Sequence, residues 1–108
     1  MIADDDDAAI AAVTAAELLF GVELADRRRR RARESYVQAV LATIPIESYD
    51  LDVAQAHASL LAHTHRAGRA HGAHDLIIAA TALARERAIV TLDVRGCADL
   101  PGLVLRAP

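Results

Sequence analysis

The sequence predicts an α/β domain built on a small parallel sheet, and three observations carry that expectation. Short β-prone apolar runs alternate with helix-length amphipathic segments along the 108 residues. An acid, Asp75, opens a nearly all-apolar segment, Gly72-Ala73-His74-Asp75-Leu76-Ile77-Ile78-Ala79-Ala80-Thr81-Ala82-Leu83. The most β-like run in the chain, Ala88-Ile89-Val90-Thr91-Leu92, follows it and ends at Asp93.

A length of 108 residues predicts one domain over 1–108. Hydrophobic residues make up 54%, yet with two tyrosines and one phenylalanine the core must be built from Leu, Ile, Val and Ala. No apolar run approaches the ~20 residues of a membrane span. The opening Met1-Ile2-Ala3 and four aspartates do not read as a signal peptide, so a cytoplasmic protein with no membrane association is expected. Cys97 stands alone, which excludes an internal disulfide and a cysteine-based zinc cluster. The net charge of −3 conceals two poles: Asp4, Asp5, Asp6 and Asp7 at the start, and six of the twelve arginines within residues 27–33.

In chain order, residues 4–7 read as a solvated end and 8–13 as a weak strand of small residues. Thr14 with Glu17 three residues on has capping-box spacing, so a helix is expected to start there, with Leu18, Leu19, Val22 and Ala25 as its apolar stripe. The arginine run leads into Tyr36, Val37, Val40 and Leu41, which places the arginines on or beside a second helix. Pro45 restricts residues 43–47 to an edge or short strand. Asp50 and Asp52 offer an N-cap for a third helix that runs to about Arg66 and stops at Gly68. Residues 71–74 are expected as a loop, with Asp75 opening a helix that runs to about Arg87. A strand over 88–92, turns at 93–96 and 101–102, and a last short strand over 103–105 complete the alternation.

Glu17, Asp75 and Asp93 are the candidate functional acids. Each alone has an ordinary use: a capping acid, an acid at the positive end of a helix, a turn residue. Together they fall at strand C-ends and helix N-ends, which in a parallel α/β sheet lie along the edge where ligands bind. Three converging carboxylates repel one another unless something positive intervenes. A hard divalent cation, Mg²⁺ or Mn²⁺, takes oxygen ligands and activates water against a phosphodiester, so the arrangement reads as nuclease-like.

Three blocks of the sequence resemble PIN-domain proteins of the VapC toxin type: Thr14-Ala15-Ala16-Glu17-Leu18-Leu19-Phe20-Gly21-Val22; Ala67-Gly68 with the segment from Gly72 to Ala82; and Val90-Thr91-Leu92-Asp93 with Leu100-Pro101-Gly102-Leu103. They stand in the family's order and spacing over about residues 13–105, and the middle block is the most specific. The resemblance implies a three-layer α/β/α PIN-like domain and a Mg²⁺- or Mn²⁺-dependent endoribonuclease. Its substrate would be RNA, it would form a homodimer, and as the toxin of a type II toxin–antitoxin system it would be held inactive by a cognate antitoxin. Glu17, Asp75 and Asp93 would be the catalytic and metal-binding acids, with Thr14 and Thr91 in support.

Two departures from the family pattern stand out. The family begins with a buried central strand ending in an aspartate, and nothing like it precedes Asp4. The expectation is therefore an N-terminally truncated domain that lacks its first ligand and leaves neighbouring strands with unpaired backbone groups. Cys97 stands where the family commonly has an aromatic. An alternative follows, a catalytically impaired PIN remnant that still binds antitoxin or dimerises. A third reading is a small-molecule-binding α/β domain whose acids are only caps.

The arginines of 27–33 suit RNA phosphates, a solvated helix face, or a subunit or antitoxin contact. Arg66, Arg69, His71 and His74 flank the Asp75 block and are candidate RNA-binding residues. None of the five histidines has the paired spacing with glutamate of a zinc hydrolase helix.

Overall fold

A computed structural model describes residues 8–69, 71–86 and 88–90, with the backbone of 105–106. Among them are four helices, α1 (Ala12–Leu24), α2 (Arg27–Thr43), α3 (Leu51–Ala67) and α4 (Ala73–Arg85). Four two-residue strands accompany them: β1 (Ile10–Ala11), β2 (Ile46–Glu47), β3 (Ile89–Val90) and β4 (Leu105–Arg106). The chain is thus a mostly helical α/β fold with a small parallel sheet, as the alternation of segments predicts. The expected turns at 93–96 and 101–102, Cys97 and the aspartates at 4–7 lie outside the described residues.

β1 pairs in parallel with β2, Ile10 opposite Ile46, and β3 pairs in parallel with β4, Ile89 opposite Leu105. A parallel bridge between Ala9 and Ile89 joins the two pairs. There the Ala9 N–H donates to the Ala88 carbonyl at 3.1 Å and the Val90 N–H donates to the Ala9 carbonyl at 2.8 Å. The unpaired strand edges expected from the resemblance therefore do not occur at this point, because the N–H and the carbonyl of Ala9 are both taken up, by the Ala88 carbonyl and the Val90 N–H.

Local chemistry explains where the helices begin and end. α1 starts two residues before Thr14, with Ala11 as N-cap and no side-chain cap bond. The Thr14–Glu17 capping box consequently does not form: the strand runs directly into the helix and carries Thr14 to its third position. The expected stripe on α1 is fully buried only at Val22, while Leu19 stays exposed. Asp26 caps α2, its Oδ1 accepting from the Arg29 N–H at 2.9 Å, so the arginine run is helical. Asp50 caps α3 through the Val53 N–H at 3.1 Å, and Gly68 ends that helix in the left-handed conformation, φ 67°. α4 starts at Ala73, so His74 is helical rather than part of a loop, and Asp75 lies in the first turn.

α4 is the centre of the packing. Leu76, Ala79 and Ala80 face α3, where Val53 and Leu60 complete a buried cluster. Ile78 and Ala82 face the sheet and pack with Ala9, Ala11 and Ile89. At its far end Arg85 reaches the β2–α3 connection: Nε donates to Glu47 Oε1 at 3.2 Å, and Nη2 to the Ser48 carbonyl at 3.1 Å and Asp50 Oδ2 at 2.7 Å. The hydrogen bond from Arg85, then that from the Val53 N–H, holds the Asp50 carboxyl below its ordinary pKa. The same contact raises that of Arg85. No helix among the described residues is long and apolar enough to cross a membrane.

Candidate active site

Asp75 stands in the first turn of α4, where the unsatisfied N–H groups of the helix favour a carboxylate. Gly72 caps that helix with φ −62° and ψ 144°, a conformation any residue adopts, so its contribution is space. A Cβ at position 72 would lie 3.0 Å from Asp75 Oδ2 and 3.6 Å from its Cγ. The bare backbone thus forms a cradle for the carboxylate.

Glu17 lies on the second turn of α1, half-buried. Its Oε2 is 3.2 Å from His74 Nδ1, with the two side chains 36% and 57% exposed respectively. Glu17 therefore touches the residue adjacent to Asp75, and the start of α4 meets the middle of α1 here. Thr14, one turn before Glu17, is 2% exposed, and its Oγ1 has no hydrogen-bond partner. Such an orphaned polar atom costs ~1–3 kcal/mol. Asp93 and Thr91, the other expected members, lie outside the described residues.

Among the described residues no three His, Cys, Asp or Glu side chains form a group able to hold a metal ion. The donors that are described, the carboxylate oxygens of Glu17 and of Asp75 against Gly72, nevertheless have the chemistry a hard divalent cation takes. The remaining candidate residues separate. Arg69 and His71 line a cavity of about 300 Å³ with His63 and Thr64. Arg66 is exposed in the last turn of α3, and only His74 joins the acids.

Sequence reasoning missed a groove of about 580 Å³ between α1 and α2, lined by Glu17, Leu18, Arg29, Arg33, Tyr36 and Val37, among others. The available signal was the spacing of Arg29, Arg33 and Tyr36, which puts them on one helix face. A second cavity of about 800 Å³ is lined by Arg27, Arg30, Arg31 and Glu34 with their neighbours. Arg30 pairs with Glu23 at 3.1 Å.

A sequence profile of the PIN domain matches residues 1–101, and the chain belongs to the PIN-domain family. Over 105 residues it is 28% identical to Ribonuclease VapC of Rickettsia bellii (strain RML369-C), covering 95% of this chain and 78% of that one. It is similar in structure to VapBC-5 of Mycobacterium tuberculosis, a member of the VapBC family of toxin-antitoxin systems. The TM-score is 0.76 at 32% identity, over 92% of this chain and 79% of that one. VapBC2 of Rickettsia felis, crystallised on a DNA fragment from its promoter, shares the fold with a TM-score of 0.80 at 24% identity, over 93% of this chain and 74% of that one. Within the PIN family the chain is of the VapC type found in VapBC toxin–antitoxin systems.

Proposed function

We propose that this chain is a Mg²⁺- or Mn²⁺-dependent endoribonuclease acting as the toxin of a type II toxin–antitoxin pair. One observation carries the reading: Glu17 reaches through His74 to the first turn of α4, where Asp75 stands in the space left by Gly72. Glu17, Asp75 and Asp93 would hold the cation, with Thr14 and Thr91 alongside. When bound, the cation supplies Lewis-acid polarisation of a phosphodiester and activation of water. The chain's own part is positional. α4 presents Asp75, and His74 sets its Nδ1 3.2 Å from the carboxylate of Glu17.

The same reading extends the fold to a three-layer α/β/α domain in the cytoplasm, working as a homodimer and blocked by an antitoxin. Leu19, Phe20 and Leu24 on α1 are 41%, 61% and 69% exposed, an apolar face that suits a protein partner.

The test is cleavage of structured RNAs by the purified chain with Mg²⁺ or Mn²⁺. Asp75→Asn is expected to lower the rate by about 100-fold or more, equivalent to roughly 2.7 kcal/mol of transition-state stabilisation. Undiminished cleavage by that variant would overturn the assignment. Absence of both cleavage and Mn²⁺ binding, with antitoxin affinity kept, would make the chain a non-catalytic remnant.

A further inference from the structure

The six arginines of residues 27–33 do not form one patch. Arg29 and Arg33 line the α1–α2 groove with Glu17 and Tyr36, whereas Arg27, Arg30 and Arg31 line the other cavity beside Glu34. The division follows from helix geometry, since positions 29 and 31 are two residues apart and so about 200° apart around α2. Each face carries an acid of its own, Glu17 in the groove and Glu34 in the other cavity. Arg30 is engaged by Glu23, and Glu34 offsets its neighbours on that side. Among the described residues, none of Arg27, Arg29, Arg31 and Arg33 makes a side-chain ion pair and all four are exposed; Arg29 and Arg33 are set apart by sharing their groove with the Tyr36 ring and with Glu17.

The groove is continuous with the candidate site, because Glu17 lines it and also holds His74. Its floor is the buried Val37 with the half-buried Leu18, and Tyr36, 66% exposed, stands at its rim. At about 580 Å³ it falls within the ~300–1,000 Å³ typical of ligand pockets. Two unpaired guanidiniums, an exposed aromatic ring and an apolar floor leading from Glu17 match what a single nucleic-acid strand needs: cations along its backbone and a ring for a base.

Resting on the ribonuclease reading above, we propose that the α1–α2 groove carries the single-stranded RNA flanking the scissile phosphate. Arg29 and Arg33 bind backbone phosphates, and Tyr36 stacks on a base. The arginines on the opposite face of α2 take no part. The occupant is a polyanion, since an apolar peptide would leave both guanidiniums unpaired in the groove.

The experiment measures binding of a short fluorescent single-stranded RNA to the full chain by anisotropy, in EDTA so that cleavage is off, over a series of salt concentrations. Arg29→Gln with Arg33→Gln should weaken binding by about tenfold or more and reduce the salt slope by about 1.4, the value for two phosphate contacts on a single strand. Arg27→Gln with Arg31→Gln removes the same charge from the same helix and should leave affinity and slope near those of the parent. Tyr36→Ala should cost roughly tenfold and Tyr36→Phe almost nothing, since either ring offers a stacking face. Circular dichroism of each variant confirms that α2 is kept.

Equal losses from the two arginine pairs, no loss from the groove pair, or no RNA binding by the parent would each overturn the proposal. So would unchanged RNA binding with loss of a protein partner, which would assign the groove to that partner. Failure of the two readings is separable: cleavage abolished by Asp75→Asn but indifferent to Arg29 and Arg33 leaves the nuclease and removes the groove. Groove-dependent RNA binding without any cleavage does the reverse.

Discussion

Thr14 carries a hydroxyl buried to 2% residue exposure with no hydrogen-bond partner, at a position where the sequence reads as a helix cap. Replacing it by the isosteric valine removes the unmatched polar atom, so Thr14→Val should gain about 1 kcal/mol in urea unfolding. If the hydroxyl supports the acids beside it, the same variant should bind Mn²⁺ more weakly in titration calorimetry. Gly72 gives the opposite pairing of effects. Gly72→Ala is permitted by its backbone angles, so stability should change by no more than about 0.5 kcal/mol. The new methyl, 3.0 Å from Asp75 Oδ2, must push that carboxylate aside, and the stabilisation of the chain by Mn²⁺ in thermal melts should shrink. Asp75 was legible in the sequence because it stands in the first turn of α4. The Glu17–His74 contact was not, since it depends on α4 beginning two residues earlier than Asp75, on a glycine with no capping side chain to announce it.

Arg85 links the end of α4 to the N-cap of α3, and this makes the junction of the two helices sensitive to acid. The Asp50 carboxyl has a depressed pKa in the folded chain, so its contribution is complete above the unfolded value of about 3.9 and is lost as pH falls through the folded one. Arg85 titrates far above this range and adds no slope there. The parent should therefore lose melting temperature more steeply than Arg85→Gln as pH falls below about 4, and the two curves should converge once pH is below the folded value. A difference that stayed constant with pH would dissociate Asp50 from the effect. α3 was readable at both ends from Asp50 and Gly68, residues whose side chain or lack of one determines the cap. α1 was not, because it begins on alanine directly out of a strand. Strands of two residues offer too little alternation for their limits to be read.

The overall architecture was readable from one segment. A helix apolar on nearly every side must be covered on every side, and α4 is packed by α3 on one face and the sheet on the other. The order of the strands was not readable, because it depends on Ala9 and Ile89, small and apolar residues that would suit several pairings. The α1–α2 groove escaped for a similar reason: its existence depends on how two helices cross, which periodicity does not encode. That bridge at Ala9 has a kinetic consequence. Among the described residues, two backbone hydrogen bonds, net about 1 kcal/mol each, join the β1–β2 pair to β3. They are too few to keep the halves together, so cohesion must pass through Ile78 and Ala82 of α4. The amides of Ala9 and Val90 should then exchange with deuterium only when α4 itself opens, with protection equal to that of Ala79 and Ala80. Earlier exchange at Ala9 would mean that the sheet parts while its helix stays in place.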